Sequence, residues 1–373
     1  MNVRRFAIAT AAAAAVILSA PFAQQAFTAM GTAWPSQLRT IAIAATAIPV
    51  GAVFLFAYFR IRDRRAPRYL ALALGLGIGG GYIILTGLSY GESFHFVEYG
   101  LLALLFYRAW RPIDDGSVIL LPLLAGALAG TLDEWFQWFI PIRAGEARDV
   151  GLNTIALACG LLFAIAVNPP GRERLAIRRE SWTRVGGWAA ALVIVFALFF
   201  QSVHLGYDIR DEEAGTFRSR YAPNDLASVG LARAERWRDR PPLVQRRVAR
   251  EDQYLTEGLR HVQRRNAVWG TGDAFAAWHE NRILEKFYAP VLDTPSYASA
   301  SGHRWPAEQR AAAERGATAQ QRAAAEARAS GDLRAYVSDA QPFPVYAWPK
   351  PLFWTAHLLL VVLISVLCRR YSF

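Results

Sequence analysis

Eight stretches of this chain are too apolar and too poor in charge to fold as the surface helices of a soluble domain. They lie at about residues 6–27, 40–59, 69–90, 94–110, 117–135, 149–167, 186–205 and 351–368. A bilayer core takes about 20 mostly apolar residues per helix. Several stretches are shorter, which predicts tilt or partial insertion. The pattern predicts an all-α, polytopic helical membrane protein with about eight transmembrane helices. Residues 1–205 form the membrane domain with spans one to seven. Residues 206–349 form an extracytoplasmic, mostly helical domain, and 350–373 a C-terminal transmembrane helix.

Composition agrees and narrows the choice. Apolar residues make up 54% of the 373 and charged residues only 19%, against ~25% in an ordinary soluble protein. The net charge of +11 leaves a basic nucleic-acid binder or a membrane protein with basic loops. The arginines decide. Arg4 and Arg5 precede the first span. Arg60, Arg62, Arg64, Arg65 and Arg68 lie between the second and third, and Arg108 and Arg111 between the fourth and fifth. Arg172, Arg174, Arg178, Arg179 and Arg184 lie between the sixth and seventh, and Arg369 and Arg370 end the chain. The other short loops hold Arg39, Arg143 and Arg148. Basic loops stay in the cytoplasm, so both termini are expected there and 206–349 outside. A face that reads nucleic acid would need its arginines clustered on a soluble module. The one soluble segment here is close to charge balance, so no nucleic-acid partner is expected.

The first stretch also has the outline of a signal peptide, with Arg4 and Arg5 before an apolar run from Ala7 to Ala20. Pro21 directly follows Ser19-Ala20 and spoils a cleavage site, so it is read as a retained helix. Gly75, Gly77, Gly79, Gly80 and Gly81 in the third span, and Gly126 and Gly130 in the fifth, are spaced for close helix packing. Cys159 and Cys368 make no disulfide framework and no CxxC pair.

The outer segment is read as helices around 224–238, 242–268, 273–289 and 306–330, with no strand-rich region. Pro241-Pro242 opens the second helix and Gly270-Thr271-Gly272 closes it. Tyr254, Leu255, Leu259 and Val262 give that helix an apolar face. Glu251, Asp252, Glu257, His261, Arg264 and Arg265 give it a polar face, expected to be solvated and salt-bridged, with a second, extracytoplasmic part of the site as the alternative. The Ala/Gln/Glu/Arg-rich run after 306 has little apolar stripe and reads as a solvated helix or spacer. His204 and His357, near span ends, are expected at the interface.

Most spans carry no ionisable group, and the exceptions gather at one level. The fourth span begins Glu92-Ser93-Phe94-His95-Phe96-Val97-Glu98-Tyr99, and His95 and Glu98 share a helix face. The fifth ends Asp133-Glu134-Trp135-Phe136-Gln137. A loop with Arg143, Glu146 and Arg148 follows, and the sixth begins with Asp149 and Asn153. By the arginine topology all of these lie at the outer ends of their helices. Charge at the edge of a bilayer is costly unless it is paired or wetted, and is read by default as a binding or catalytic site; a structural hydrogen-bond network joining the three helices is the alternative. A carboxylate beside a histidine tunes it as an acid or base. Arg143 offers a fork for phosphate or carboxylate. Tyr99, Trp135 and Trp138 suit interface anchoring or stacking on a ligand. His95, Glu98, Asp133 and Glu134 are therefore the candidate catalytic residues, and Tyr99, Gln137, Arg143, Asp149 and Asn153 the candidate substrate-binding ones. There is no HExxH and no second clustered histidine, so neither metal nor other cofactor is assigned.

These segments resemble the VanZ-like family of bacterial membrane proteins. The resemblance runs from about Glu92 to Gly160, within a core of about 92–167. It rests on His95-Phe96-Val97-Glu98-Tyr99, Asp133-Glu134-Trp135-Phe136-Gln137, Pro141-Ile142-Arg143, Asp149, and Asn153 followed by Gly160. It implies a shared polar centre of His95, Asp133, Glu134, Gln137, Arg143, Asp149 and Asn153. Some members carry an Asp-Lys pair before the histidine. Gly91-Glu92 stands there in this chain, so a role of that lysine does not carry over. The family's name comes from a protein linked to low-level resistance to the glycopeptide teicoplanin. The resemblance does not account for 206–349. The expectation is a bacterial inner-membrane protein whose outward-facing pocket binds or modifies an amphiphilic envelope molecule, a phospholipid or a lipid-linked precursor. A scaffold recruiting envelope enzymes and a lipid or small-solute transporter are the alternatives. A transporter would place polar groups near the midplane, and here they lie at one edge.

Overall fold

The computed structural model describes residues 2–89, 91–140, 145–170, 176–242, 252–296, 298–327 and 336–372. In chain order the helices are α1 (Val3–Ala33), α2 (Leu38–Arg60), α3 (Arg65–Thr86), α4 (His95–Trp110), α5 (Ser117–Gln137), α6 (Ala147–Val167) and α7 (Arg179–Val203). A hairpin of β1 (Tyr207–Asp211) and β2 (Gly215–Ser219) follows. Then come α8 (Pro223–Asp239), α9 (Asp252–Gly270), α10 (Ala274–Phe287), α11 (Ala289–Asp293), α12 (Ala307–Ala327) and α13 (Lys350–Ser372). The chain forms two compact units. One comprises Met1–Trp138, Ala144–Phe200 and Pro351–Phe373, the other Phe139–Arg143 and Gln201–Lys350.

In the first unit α4 is the centre. Tyr99, Leu102, Phe106 and Trp110 on it are buried, and they pack with Ala9 and Ala13 of α1, Leu121 and Ala125 of α5 and Leu157 and Leu161 of α6. Seven described helices are long and apolar enough to cross a bilayer. The expected fourth span forms a helix, but α4 has 16 residues. That is about 24 Å at 1.5 Å per residue, short of a ~30 Å hydrocarbon core. The outer faces of α2 and α13 carry exposed Leu55, Phe59, Leu359 and Val362, as helices facing lipid do. Contacts between α4 and α6 depend on glycine. A Cβ on Gly160 would lie 2.5 Å from the Cα of Gly100. Gly126 likewise has no room for one beside Leu157, whereas Gly77 and Gly81 face open space.

The arginine-rich ends of these helices meet. Arg68 is buried and donates from Nε to Ala166 O and from a terminal nitrogen to Val167 O, both at 2.6 Å. It thereby supplies a cation to the last carbonyls of α6, where the helix dipole favours one. Asn2 N donates to Ala109 O at the end of α4. Asp115, before α5, accepts from Ser117 N, Arg178 N and Ser181 Oγ. α7 and α13 run antiparallel: Trp182 stacks on Tyr371 and Phe200 on Phe353.

The second unit departs from expectation most clearly in a hairpin and in the polar face of α9. It holds a short hairpin, pairing Tyr207 with Ser219 through Asp211 with Gly215. Asp211 Oδ1 accepts from the N–H groups of Glu213 and Ala214, and Gly215 takes φ +98°, so the turn needs glycine. Five-residue strands are too short to stand out against helical surroundings. The polar face of α9 is also not solvated. Tyr254, Leu255, Leu259 and Val262 are buried as expected, but so are Glu257, His261 and Arg265, each 2% exposed or less. Glu257 accepts from Ser219 Oγ, Arg220 N and Tyr288 OH. His261 Nδ1 lies 2.6 Å from Glu280 Oε2, and the other oxygen of Glu280 accepts from Tyr336 OH and Ser338 Oγ. Arg265 reaches Asn281 and the His303 carbonyl and lies over the Trp305 ring. Burial pulls its guanidinium down to about 10. Arg264 is half-exposed and pairs with Asp339, as a solvated face predicts; Glu251 lies outside the described residues.

The remaining expectations fall out piecewise. α9 ends at Gly270 as read, but 243–251 lie outside the described residues, and with them its proline-led start. α12 buries Ala313 and Ala317, so its alanines pack rather than leaving it a free spacer. His204 is buried, with Nδ1 2.7 Å from Pro344 O, instead of lying at an interface.

Burial disfavours the Glu280 carboxylate, but His261, Ser338 and Tyr336 more than offset this and hold it below the ordinary carboxylate range. Its contribution to stability is therefore full above the pKa of an unfolded Glu and is lost as pH falls through the folded value. Glu280→Ala strands His261, Tyr336 and Ser338 and should cost the intact protein about 3–5 kcal/mol. Hydrogen exchange at neutral pH should show lost protection over 336–340. Unchanged protection there would contradict the anchoring role.

Candidate functional site

The polar residues of the first unit sit at the helix ends opposite the arginines, in two tiers. The buried tier is built around Glu134, in the last turn of α5 and fully buried. Its Oε1 accepts from Gln137 Nε2 and Asn153 Nδ2, each at 3.3 Å. Its Oε2 accepts from Glu146 N at 3.3 Å. Glu146 directly precedes α6, so this donor is one of the N–H groups that a helix start leaves without an intrahelical partner. The carboxylate thus lies where the α6 dipole favours negative charge. Next to it Tyr99 OH donates to Asp133 Oδ2 at 2.7 Å. Tyr99, Asp133, Gln137 and Asn153 are all buried. Tyr99 therefore ties α4 to α5 and faces neither water nor lipid.

Gly130 makes this tier possible. A Cβ there would lie 3.1 Å from the Cβ of Asn153 and 3.3 Å from the Tyr99 ring. Gly145 passes so close to the Glu134 carbonyl that any side chain would strike it. Asp133 Oδ1 and Asn153 Oδ1 are buried with no hydrogen-bond partner among the described residues.

The accessible tier lies above. His95 opens α4 and stacks on Tyr99, with ring centroids 6.0 Å apart. Glu98 and Asp149 occupy the first turns of α4 and α6, where acids complement the helix dipole. His95, Glu98 and Asp149 are each half-buried. Arg148 donates to Glu92 Oε1 at 2.7 Å and lies 3.9 Å from Asp149. Glu92 Oε2 accepts from Ser89 N. Burial raises the Glu92 carboxyl, but Ser89, Arg148 and His95 lower it further, and the net shift is downward. Burial moves Glu146 the other way, upward, against the pull of Arg148.

The structure thus brings His95, Glu98, Tyr99, Asp133, Glu134, Gln137, Asp149 and Asn153 to one end of α4, α5 and α6. Arg143, expected as the main cation, lies outside the described residues. The cation that the described residues place in the cluster is Arg148. Sequence reading passed over Glu92 and Arg148 as partners because 55 residues separate them, and only the meeting of the α4 and α6 starts pairs them. Trp138 is buried rather than interfacial. No group of three or more His, Cys, Asp or Glu suited to a metal occurs among the described residues.

Residues 8–168 match the family model described as VanZ/LLP1. No curated protein and no solved structure matches the chain.

Glu134→Ala removes the acceptor of three donors, each costing about 1–3 kcal/mol when buried and unpaired. It should lower the unfolding temperature in detergent and loosen 145–149 in hydrogen exchange. Glu134→Gln, which keeps one acceptor, should fall between it and the parent. Equal stability of all three would contradict the central place of Glu134.

Proposed function

Because residues 8–168 form a VanZ-like domain, we propose that this membrane protein binds an amphiphilic cell-envelope molecule through the polar centre on α4, α5 and α6. The observation that carries the reading is the layering. A buried set of acceptors lies beneath half-buried His95, Glu98 and Asp149 and exposed Arg148. Buried polar atoms normally find partners, so the acceptors of Asp133 and Asn153 favour a ligand that brings hydroxyl or amine donors. Arg148 supplies a cation for a phosphate. A polar head group on an apolar tail meets both demands at the edge of a bilayer.

The proposed setting is the bacterial inner membrane, with the arginine-rich ends and both termini in the cytoplasm. Residues 206–349 are proposed to lie outside it. Where the site also modifies its ligand, His95 and Glu98 are the acid–base pair and Asp133, Glu134 and Asp149 orient the partners. A contribution to glycopeptide tolerance belongs to the same reading, since a protein that binds an envelope lipid alters the surface that the antibiotic meets.

Native mass spectrometry of the purified protein tests the proposal. The parent should retain a lipid. His95→Ala and Glu98→Gln, at half-buried positions, should lose at least about tenfold in occupancy, equivalent to ~1.4 kcal/mol, with unchanged membrane insertion and melting. Full retention in both variants would sink the reading.

A further inference from the structure

A second feature of the membrane unit is not used by the polar centre. An apolar cavity of about 540 Å³ opens between α2 on one side and α3, α4 and α6 on the other. It runs from Ser93, in the turn before α4, to Leu104 on α4, and from Ile83 to Leu72 on α3. Ile83 and Leu72 are eleven positions apart, about 16 Å at helical rise. One leaflet of a ~30 Å hydrocarbon core is about 15 Å deep. The groove therefore spans one leaflet, from the polar end to near the midplane.

Part of its wall on α3 is bare backbone. Gly80 lines it and a Cβ there meets nothing within 4 Å. α2 covers it loosely, because Ala57 is the only buried residue of that helix. The mouth is polar. Ser93 follows Glu92, whose carboxylate holds half-exposed Arg148, and His95 lies two residues on. Dense packing is the rule in protein interiors, and an apolar void open to hydrocarbon fills with hydrocarbon.

The geometry points to a binding groove for one acyl chain of a membrane phospholipid, with its phosphate beside Arg148 and His95 at the mouth. This rests on the head-group reading above and gives it a tail site. The length favours an ordinary acyl chain. An isoprenoid chain much longer than one leaflet would overrun the closed end at Leu72 and Leu104.

The test uses the full chain in phosphatidylglycerol–phosphatidylethanolamine vesicles, with phosphatidylglycerol bearing a diazirine on one acyl chain as the probe. Cross-links should concentrate on 72–83 and 93–104 relative to lipid-facing α13. Gly80→Leu, at a lining position where a Cβ meets nothing within 4 Å, should cut that labelling at least about tenfold, equivalent to ~1.4 kcal/mol. Gly77→Leu, on an exposed face outside the groove, should leave it unchanged. Labelling no stronger than on α13, or equal in Gly80→Leu and the parent, would overturn the groove. Displacement of the probe by polyprenyl phosphate but not by unlabelled phosphatidylglycerol would overturn its assignment to a phospholipid chain. The two readings fail separately. Groove labelling that survives while His95→Ala leaves lipid retention intact removes the head-group site alone. Loss of lipid in His95→Ala with no effect of Gly80→Leu removes the groove alone.

Discussion

α4 and α6 can meet as closely as they do because α6 carries no side chain at Gly160. A Cβ there would lie 2.5 Å from the Cα of Gly100 and 2.6 Å from its carbonyl oxygen. Within lipid there is no hydrophobic force to bring helices together, so such close approach is a main source of association. Gly130 and Gly126 extend the same arrangement to α5 against α6. The polar tier depends on it. Were α6 displaced by the width of a methyl group, Asn153 and the Glu146 N–H would both leave hydrogen-bond range of Glu134. Bonds of 3.3 Å leave little slack before the 3.5 Å limit beyond which such contacts cease to count.

That dependence explains how a carboxylate can be fully buried at the end of a membrane helix. A buried charge is tolerated only when paired or hydrogen-bonded. Glu134 collects its donors from its own turn, from α6 and from the backbone ahead of α6. The start of α6 contributes a free N–H and the positive end of its dipole, which no side chain could replace. The arginine end solves the mirror problem with Arg68, a cation laid on the last carbonyls of α6. One helix therefore has a carboxylate at its N-terminus and a guanidinium at its C-terminus, both drawn from neighbours.

Much of this was legible in the sequence because it rests on periodicity and charge counting. The apolar stretches fix the helices, the arginines fix which ends meet, and the gathering of His95, Glu134 and Asp149 at the opposite ends follows. What could not be read were relations between distant positions. The Glu92–Arg148 pair needs two helix starts side by side. The burial of Glu257 and His261 needs Ser219, Tyr288 and Glu280 to arrive from the hairpin, the loop before α11 and α10. On α9 alone these residues have the spacing of a solvated ion-pair face, and no local signal separates the two outcomes. Tyr99 was misleading for a related reason. An aromatic with a polar tip near a span end reads as an interface anchor until Asp133 is known to receive its hydroxyl.

The two glycine-dependent features of the membrane unit have opposite consequences for substitution. At Gly126, Gly130 and Gly160 the place of the missing Cβ is taken by a neighbouring helix, so a larger residue presses on that helix. At Gly80 it is filled by no protein atom, and a larger residue would add contacts within the protein. A chain under selection for stability alone would be expected to fill that space, since a cavity forfeits packing on every wall. That the space is lined by a glycine and roofed by the least buried helix of the bundle fits a structure in which the missing contacts come from a lipid chain. In that arrangement the tail site and the acidic head-group site share the start of α4, so a ligand seated in one is positioned for the other.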